Sequence, residues 1–151
     1  MRVVLQISKQ ASVTLNGETI ASIDKGYVLL VGMTSGDDQE LARKMVDKIL
    51  KLRIFPDGNG KANLSLSAVK GNILAVSQFT LYGSAKEGNR PSFVNAMKAE
   101  QARELFGYFC EYMKTQLPSM QHNVFQTDCQ VHINNDGPFT LILDSKELFG
   151  R

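Results

Sequence analysis

A chain of 151 residues, 43% hydrophobic and 21% charged, can bury one real core without disulfides or metal, and reads as a single soluble domain spanning residues 1–151. Its longest apolar run, Tyr27 to Met33, is far too short to cross a bilayer, and its first residues lack the pattern of an export signal, so a cytoplasmic protein with no membrane partner is expected. Seventeen basic residues against fifteen acidic ones leave a formal charge of +2, short of the basic excess of many nucleic-acid-binding domains, although a local patch can still grip a few phosphates.

The chain opens with an apolar run from Arg2 to Ile7. Val13 to Leu15 and Glu18 to Ile20 then flank Asn16-Gly17, the pair best suited to the positive φ angles of a two-residue hairpin turn. Lys25-Gly26 turns the chain into a buried strand from Tyr27 to Met33. A helix follows, capped by Asp37 or Asp38, with Leu41, Met45, Ile49 and Leu52 along one face. Its other face carries Arg43, Lys44, Asp47, Lys48 and Lys51, read as a solvated surface with phosphate contact as the alternative. Phe55-Pro56-Asp57-Gly58-Asn59-Gly60 is a turn cluster that ends this unit.

Ile73 to Val76 forms a strand leading into Ser77, and Gly83 to Pro91 is a polar loop carrying Lys86 and Arg90. A second amphipathic helix runs from about Ala99 to Leu117, burying Ala102, Leu105, Phe106, Phe109, Met113 and Leu117, and Pro118 stops it. Two strands, Cys129 to Asn134 and Phe139 to Leu143, close the chain through a turn at Asn135-Asp136-Gly137-Pro138. Strands at both ends around two main helices define a layered α/β or α+β fold. Cys110 and Cys129 fall on different elements and form no CxxC, so both are expected to stay reduced.

The usual acid–base chemistry is scarce. His122 and His132 have no Cys, Asp or Glu at ligand spacing, which argues against a Ser-His-Asp triad and against a zinc site. Asp57-Gly58-Asn59-Gly60-Lys61 lacks the spacing of a phosphate loop. Two stretches remain. Ser77-Gln78-Phe79-Thr80 ends a strand, where its hydroxyls could simply satisfy local backbone groups, or its amides could converge on a carbonyl oxygen and stabilise an oxyanion. Thr80 as a nucleophile would lack a base within the motif. Asn135-Asp136-Gly137-Pro138 is good turn chemistry, and its Gly-Pro bond is the kind that readily becomes cis, which would direct two carbonyl oxygens at a bound ammonium group.

These two stretches resemble the signature pair of the D-aminoacyl-tRNA deacylases. The resemblance runs the length of the chain in order: Ala11-Ser12-Val13-Thr14, Lys48 to Phe55, Asn63-Leu64-Ser65-Leu66, Ser77-Gln78-Phe79-Thr80-Leu81-Tyr82, Gly88-Asn89-Arg90-Pro91-Ser92-Phe93 and Asn135-Asp136-Gly137-Pro138-Phe139-Thr140. It implies a β/β/α layered sandwich with mixed, partly barrel-like sheets, and a homodimer with active sites at the subunit interface. It also implies ester hydrolysis of D-aminoacyl-tRNA and of glycyl-tRNA mischarged on tRNA-Ala, with the terminal 2′-hydroxyl helping to activate water. No cofactor and no metal are implied.

Residue by residue, the resemblance gives Phe79 and Thr80 the ester carbonyl, and Ser77 and Gln78 the pocket around the terminal adenosine. Gly137 and Pro138, joined by a cis bond, would reach across into the partner's site, face the substrate's α-carbon and amino group, and leave no room for an L side chain. Phe125 and Cys129 fall in the segment that helps form the pocket, with Cys129 where the family usually has Met. Gly83-Ser84 replaces the usual acidic or alanine residues, and Ile7 stands where an arginine is thought to brace the Gly-Pro loop. The alternatives are a deacylase of relaxed chirality and a binding-only descendant; intact Ser77 to Thr80 opposes the second, and Ile7 keeps it open.

Overall fold

The computed structural model describes every residue from Met1 to Arg151. Its organising element is β1, Arg2–Leu15, a strand that continues well past the opening apolar run. Alternate side chains Val3, Leu5 and Ile7 point into the core, the period-two pattern of a strand with one buried face. At Asn16 and Gly17, with φ of 51° and 82°, the chain reverses into β2, Glu18–Ile23. β3, Gly26–Gly32, is buried along nearly its whole length and lies antiparallel to the first half of β1, while β2 pairs with the second half.

Two parallel crossovers follow. From β3 the chain passes through α1, Gln39–Lys51, and a small hairpin of β4, Arg53–Pro56, and β5, Ala62–Ser65, into β6, Asn72–Ser77, parallel to β3. From β6 it passes through a 3₁₀ turn, Phe79–Tyr82, and α2, Ala99–Gln116, into the short β7, Gln121–His122, parallel to β6. The expected turn cluster is therefore the tip of a hairpin, with Phe55 and Pro56 already in its first strand. Asp38 caps α1, accepting from the Leu41 amide at 2.8 Å, whereas Asp37 accepts from the Thr34 amide. The terminal helix α3 spans Ser145–Phe149.

The last strand corrects the sequence reading. Cys129 to Asn134 and Phe139 to Leu143 are not two strands folded back at a turn. Residues Gln130–Asp144 form one strand, β8, antiparallel to β1 from Arg2↔Asp144 to Thr14↔Gln130. Between the pairs Gln6↔Thr140 and Ser8↔Asn135, β1 has Ile7 alone whereas β8 has Asp136 to Phe139. The turn-forming residues therefore bulge out of a continuous ladder instead of reversing it. A long partner strand offers pairing on both sides of the bulge, and that tertiary gain overrides the local turn preference.

α1 and α2 cover one face of the sheet, where Leu41, Met45, Ile49, Leu105, Phe109 and Met113 meet the inward residues of β1, β3 and β6. On the opposite face Val28, Leu74 and Val76 pack against Ala11, Val13, Ala21 and Ile23, so the sheet curls onto itself. The result is a mixed α/β fold with a nearly closed sheet and helices on one side, in agreement with the expected β/β/α layering.

Candidate active site at the end of β6

The first candidate stretch begins where β6 stops pairing. Val31 of β3 lies beside Ser77, and the Gln78 amide donates to the Val31 carbonyl at 2.8 Å. The chain then tightens into the 3₁₀ turn, whose first ring closes from the Leu81 amide to the Gln78 carbonyl. The amides of Phe79 and Thr80 precede that closure and have no partner in the protein, as the first donors of any helical turn must.

Gly32 lets the turn sit this close. A Cβ there would lie 2.9 Å from Leu81 Cβ and 3.0 Å from the Gln78 carbonyl oxygen. Arg2 fixes the far end: its Nη1 donates to the Leu81 carbonyl at 2.9 Å, and its Nε and Nη2 both reach Asp144 at 3.0 Å. Partial burial works against ionisation of Asp144, but the Lys146 amide and the Arg2 guanidinium outweigh it and hold the carboxyl below its ordinary value. Tyr82, under the Arg2 guanidinium, is pushed up to about 12, chiefly by burial and then by Asp37 and Asp144, so it stays a neutral phenol.

Ser77, Gln78, Phe79, Phe125 and Cys129 all line one cavity of about 380 Å³, a size suited to a small ligand. Its floor is Val31, Met33 and Phe106, and a segment from Phe125 to Cys129 forms the opposite wall. Arg103 holds that wall at the rim, stacking over Phe125 with 5.2 Å to the ring centroid and donating to Gln126 Oε1 at 3.2 Å. Phe79 is 55% exposed and meets Phe93 edge-on.

Three expected site residues do not line this cavity. Thr80 is exposed beside the cavity rather than on its wall, and its hydroxyl accepts from Gln78 Nε2. Gly137 and Pro138, joined by a cis bond, sit in the β8 bulge and line no part of the cavity. The bulge is tied at its base by Asn135, whose Oδ1 accepts from the Phe139 amide and whose Nδ2 donates to Thr140 Oγ1. Gln6 Nε2 donates to the same hydroxyl at 3.1 Å, and Lys9 pairs with Asp136 at 3.6 Å. Ile7, 5% exposed, lies in the core beneath and contributes packing only.

Neither histidine reaches the cavity. His132 lies 3.2 Å from Thr14 Oγ1, and His122 contacts the Asn123 carbonyl and Lys114. No three His, Cys, Asp or Glu side chains converge as a metal site. Cys110 lies on the buried face of α2, with its thiol pushed up to about 12 by burial, and both cysteines are free thiols. The residues the sequence left unmarked are Asn123, which reaches Ser77 from below, together with Gly32 and Arg2. Nothing in their local pattern distinguishes them, because each acts across more than forty positions of chain.

A wall of this kind offers an acyl group amide donors and hydroxyls in place of a side-chain base, and the protein is a hydrolase of the deacylase class. The chain belongs to the D-Tyr-tRNA(Tyr) deacylase family, whose model matches residues 4–144. It is 48% identical over 144 residues to the D-aminoacyl-tRNA deacylase of Lactobacillus helveticus, covering 95% of this chain and 99% of that protein. A solved structure described as c-Myc DNA Unwinding Element Binding Protein superposes with a TM-score of 0.90 at 40% identity, covering 96% of this chain and 99% of the other. Another, described as a probable eukaryotic D-amino acid tRNA deacylase, gives 0.85 at 17% identity, covering 95% and 98%, and shares the fold.

Proposed function

We propose that the protein hydrolyses the ester of D-aminoacyl-tRNA, and of glycyl-tRNA mischarged on tRNA-Ala, at the cavity beside Ser77. The observation that carries this is the pair of unpartnered amides of Phe79 and Thr80 at the mouth of a cavity walled by Ser77, Gln78, Phe125 and Cys129. Water adds to the ester carbonyl, the oxyanion forms between the two amides, and collapse releases the amino acid and the tRNA 3′-hydroxyl. Each amide contributes on the order of 3–4 kcal/mol to the transition state. With no histidine at hand, the terminal 2′-hydroxyl of the RNA assists the attacking water.

Selectivity comes from exclusion. Gly137 and Pro138 lie off the cavity of their own chain, so a second copy is assigned the task of placing them over it. The face available for pairing includes Ile142, 62% exposed, in register with Val4 and through it with Leu30, an apolar row across three neighbouring strands. In the paired site the two carbonyls occupy the space an L side chain needs, while glycine and D residues fit. Proofreading of mischarged tRNA in the cytoplasm follows from that selectivity.

The test is ester loss from D-Tyr-tRNA, L-Tyr-tRNA and Gly-tRNA incubated with the protein. Release of D-tyrosine no faster than in buffer would sink the reading; equal release of the L form would favour relaxed chirality. Mixing two inactive variants, Cys129→Trp and Gly137→Val, tests the shared site. Random pairing restores about a quarter of wild-type activity, through mixed dimers holding one intact site. No recovery places both motifs' work within one chain.

A further inference from the structure

Asn123 is one of three buried polar side chains in the protein, 3% exposed, at the base of the cavity. It follows β7 directly, at the point where the β6–β7 ladder ends. The last ordinary rung is the Asn123 amide donating to the Ala75 carbonyl at 3.1 Å. In a parallel ladder the next rung would run from the Ser77 amide to the Asn123 carbonyl. That carbonyl is turned away instead, with His122 Nδ1 at 2.9 Å, and since a carbonyl only accepts, the ring nitrogen carries the proton.

The Asn123 side chain takes the missing place. Its Oδ1 accepts from the Ser77 amide at 3.1 Å. Because that amide can only donate, the carboxamide orientation is settled, and Nδ2 faces Ser77 Oγ at 3.4 Å. No other protein group bonds the Ser77 hydroxyl. An oxygen that accepts from Nδ2 has its own proton left to donate, and Ser77 lines the cavity. The side-chain amide thus ends the sheet, frees the backbone to build the Phe125–Cys129 wall, and aims Ser77.

We propose that Asn123 is a positioning residue: it clamps the Ser77 amide and holds the Ser77 hydroxyl as a hydrogen-bond donor to a substrate oxygen. This inference rests on the deacylase reading. It names the ligand group as an acceptor, either the ester carbonyl or an oxygen of the terminal ribose.

The experiment compares wild type, Asn123→Ala and Asn123→Asp on D-Tyr-tRNA, with kcat and KM separated and folding checked by circular dichroism. Asn123→Ala should lower kcat roughly 10- to 100-fold, with KM changed far less, as expected for a misaimed group. Asn123→Asp keeps the acceptor for the Ser77 amide but makes the hydroxyl donate to the carboxylate, so kcat should fall similarly in a protein that melts near wild type. In a Ser77→Ala background, Asn123→Ala should cost less than about twofold more, because the two act as one unit. Full additivity, or kcat unchanged in both single variants, overturns the proposal while wild-type turnover leaves the deacylase reading intact. Hydrogen exchange gives a readout free of turnover: the Ser77 amide should exchange faster in Asn123→Ala and stay protected in Asn123→Asp. Unchanged protection in Asn123→Ala overturns the clamp, and a wild type inactive on D-Tyr-tRNA overturns both readings.

Discussion

The end of β6 and the bulge of β8 begin from similar sequence, an apolar strand running into small polar residues, and end in opposite situations. At Ser77 the strand stops against a neighbour, β3, and the next residues wind into a 3₁₀ turn at the edge of a cavity. At Asn135 the strand carries on, and the extra residues are expelled from the ladder opposite Ile7, outside the cavity beside Ser77. One region is a receptacle held from beneath by core contacts. The other is a protrusion held at its base by Asn135, Gln6 and Thr140. In the proposed function the protrusion of one copy covers the receptacle of a second.

The largest effect is expected where the receptacle touches the core. Gly32→Val places branched carbons against Leu81 and the Gln78 carbonyl, so the turn must move. Activity should fall by about 100-fold or more and stability by roughly 1–3 kcal/mol, read by ester hydrolysis and urea unfolding. Activity near wild type would show that the turn does not position the reaction. Next comes the face proposed to pair two copies: Ile142→Asp puts a charge in the apolar row, and sedimentation should show monomers with little activity on D-Tyr-tRNA. Active monomers would break the complementarity outright.

The protrusion should respond differently. Gly137 has φ of +121°, and a Cβ would approach the Phe139 amide to 3.0 Å, so Gly137→Ala strains the bulge by about 1–3 kcal/mol locally. The expected signature is a fall in the ratio of D- to L-Tyr-tRNA hydrolysis. A rate lost equally for both would assign the bulge to catalysis rather than selection. Thr80→Ala is milder, since the hydroxyl meets only Gln78 and the amide survives; less than about a tenfold loss of kcat is expected.

Smallest of all is a contrast between the cysteines. Cys129, on the cavity wall, should react with a thiol reagent in the native protein, whereas Cys110 should react only on unfolding. The folded Cys110 thiol is raised from 9.0 to about 12, so the unfolded chain loses its proton first as pH rises. Its contribution to stability is therefore whole below about pH 9 and declines between 9 and 12. Cys110→Ala should flatten that decline in a thermal melt.

Local sequence was decisive wherever the interaction is short-range. Asn16-Gly17 made its hairpin because both residues tolerate positive φ, and Leu41, Met45 and Ile49 made a helix face because a helix repeats near that period. The motif pair at Ser77 and Gly137 was legible as family resemblance, and so was the α/β layering. What the sequence could not decide was partnership. Whether Asn135 to Pro138 turns or bulges depends on β1 being long enough to pair on both sides of it. Whether Ser77 faces a cavity depends on Gly32, Arg2 and Asn123, each distant in sequence and ordinary in its own surroundings. Propensity fixes dihedral angles over a few residues. Packing and pairing choose among long-range partners, and only the folded chain brings those together.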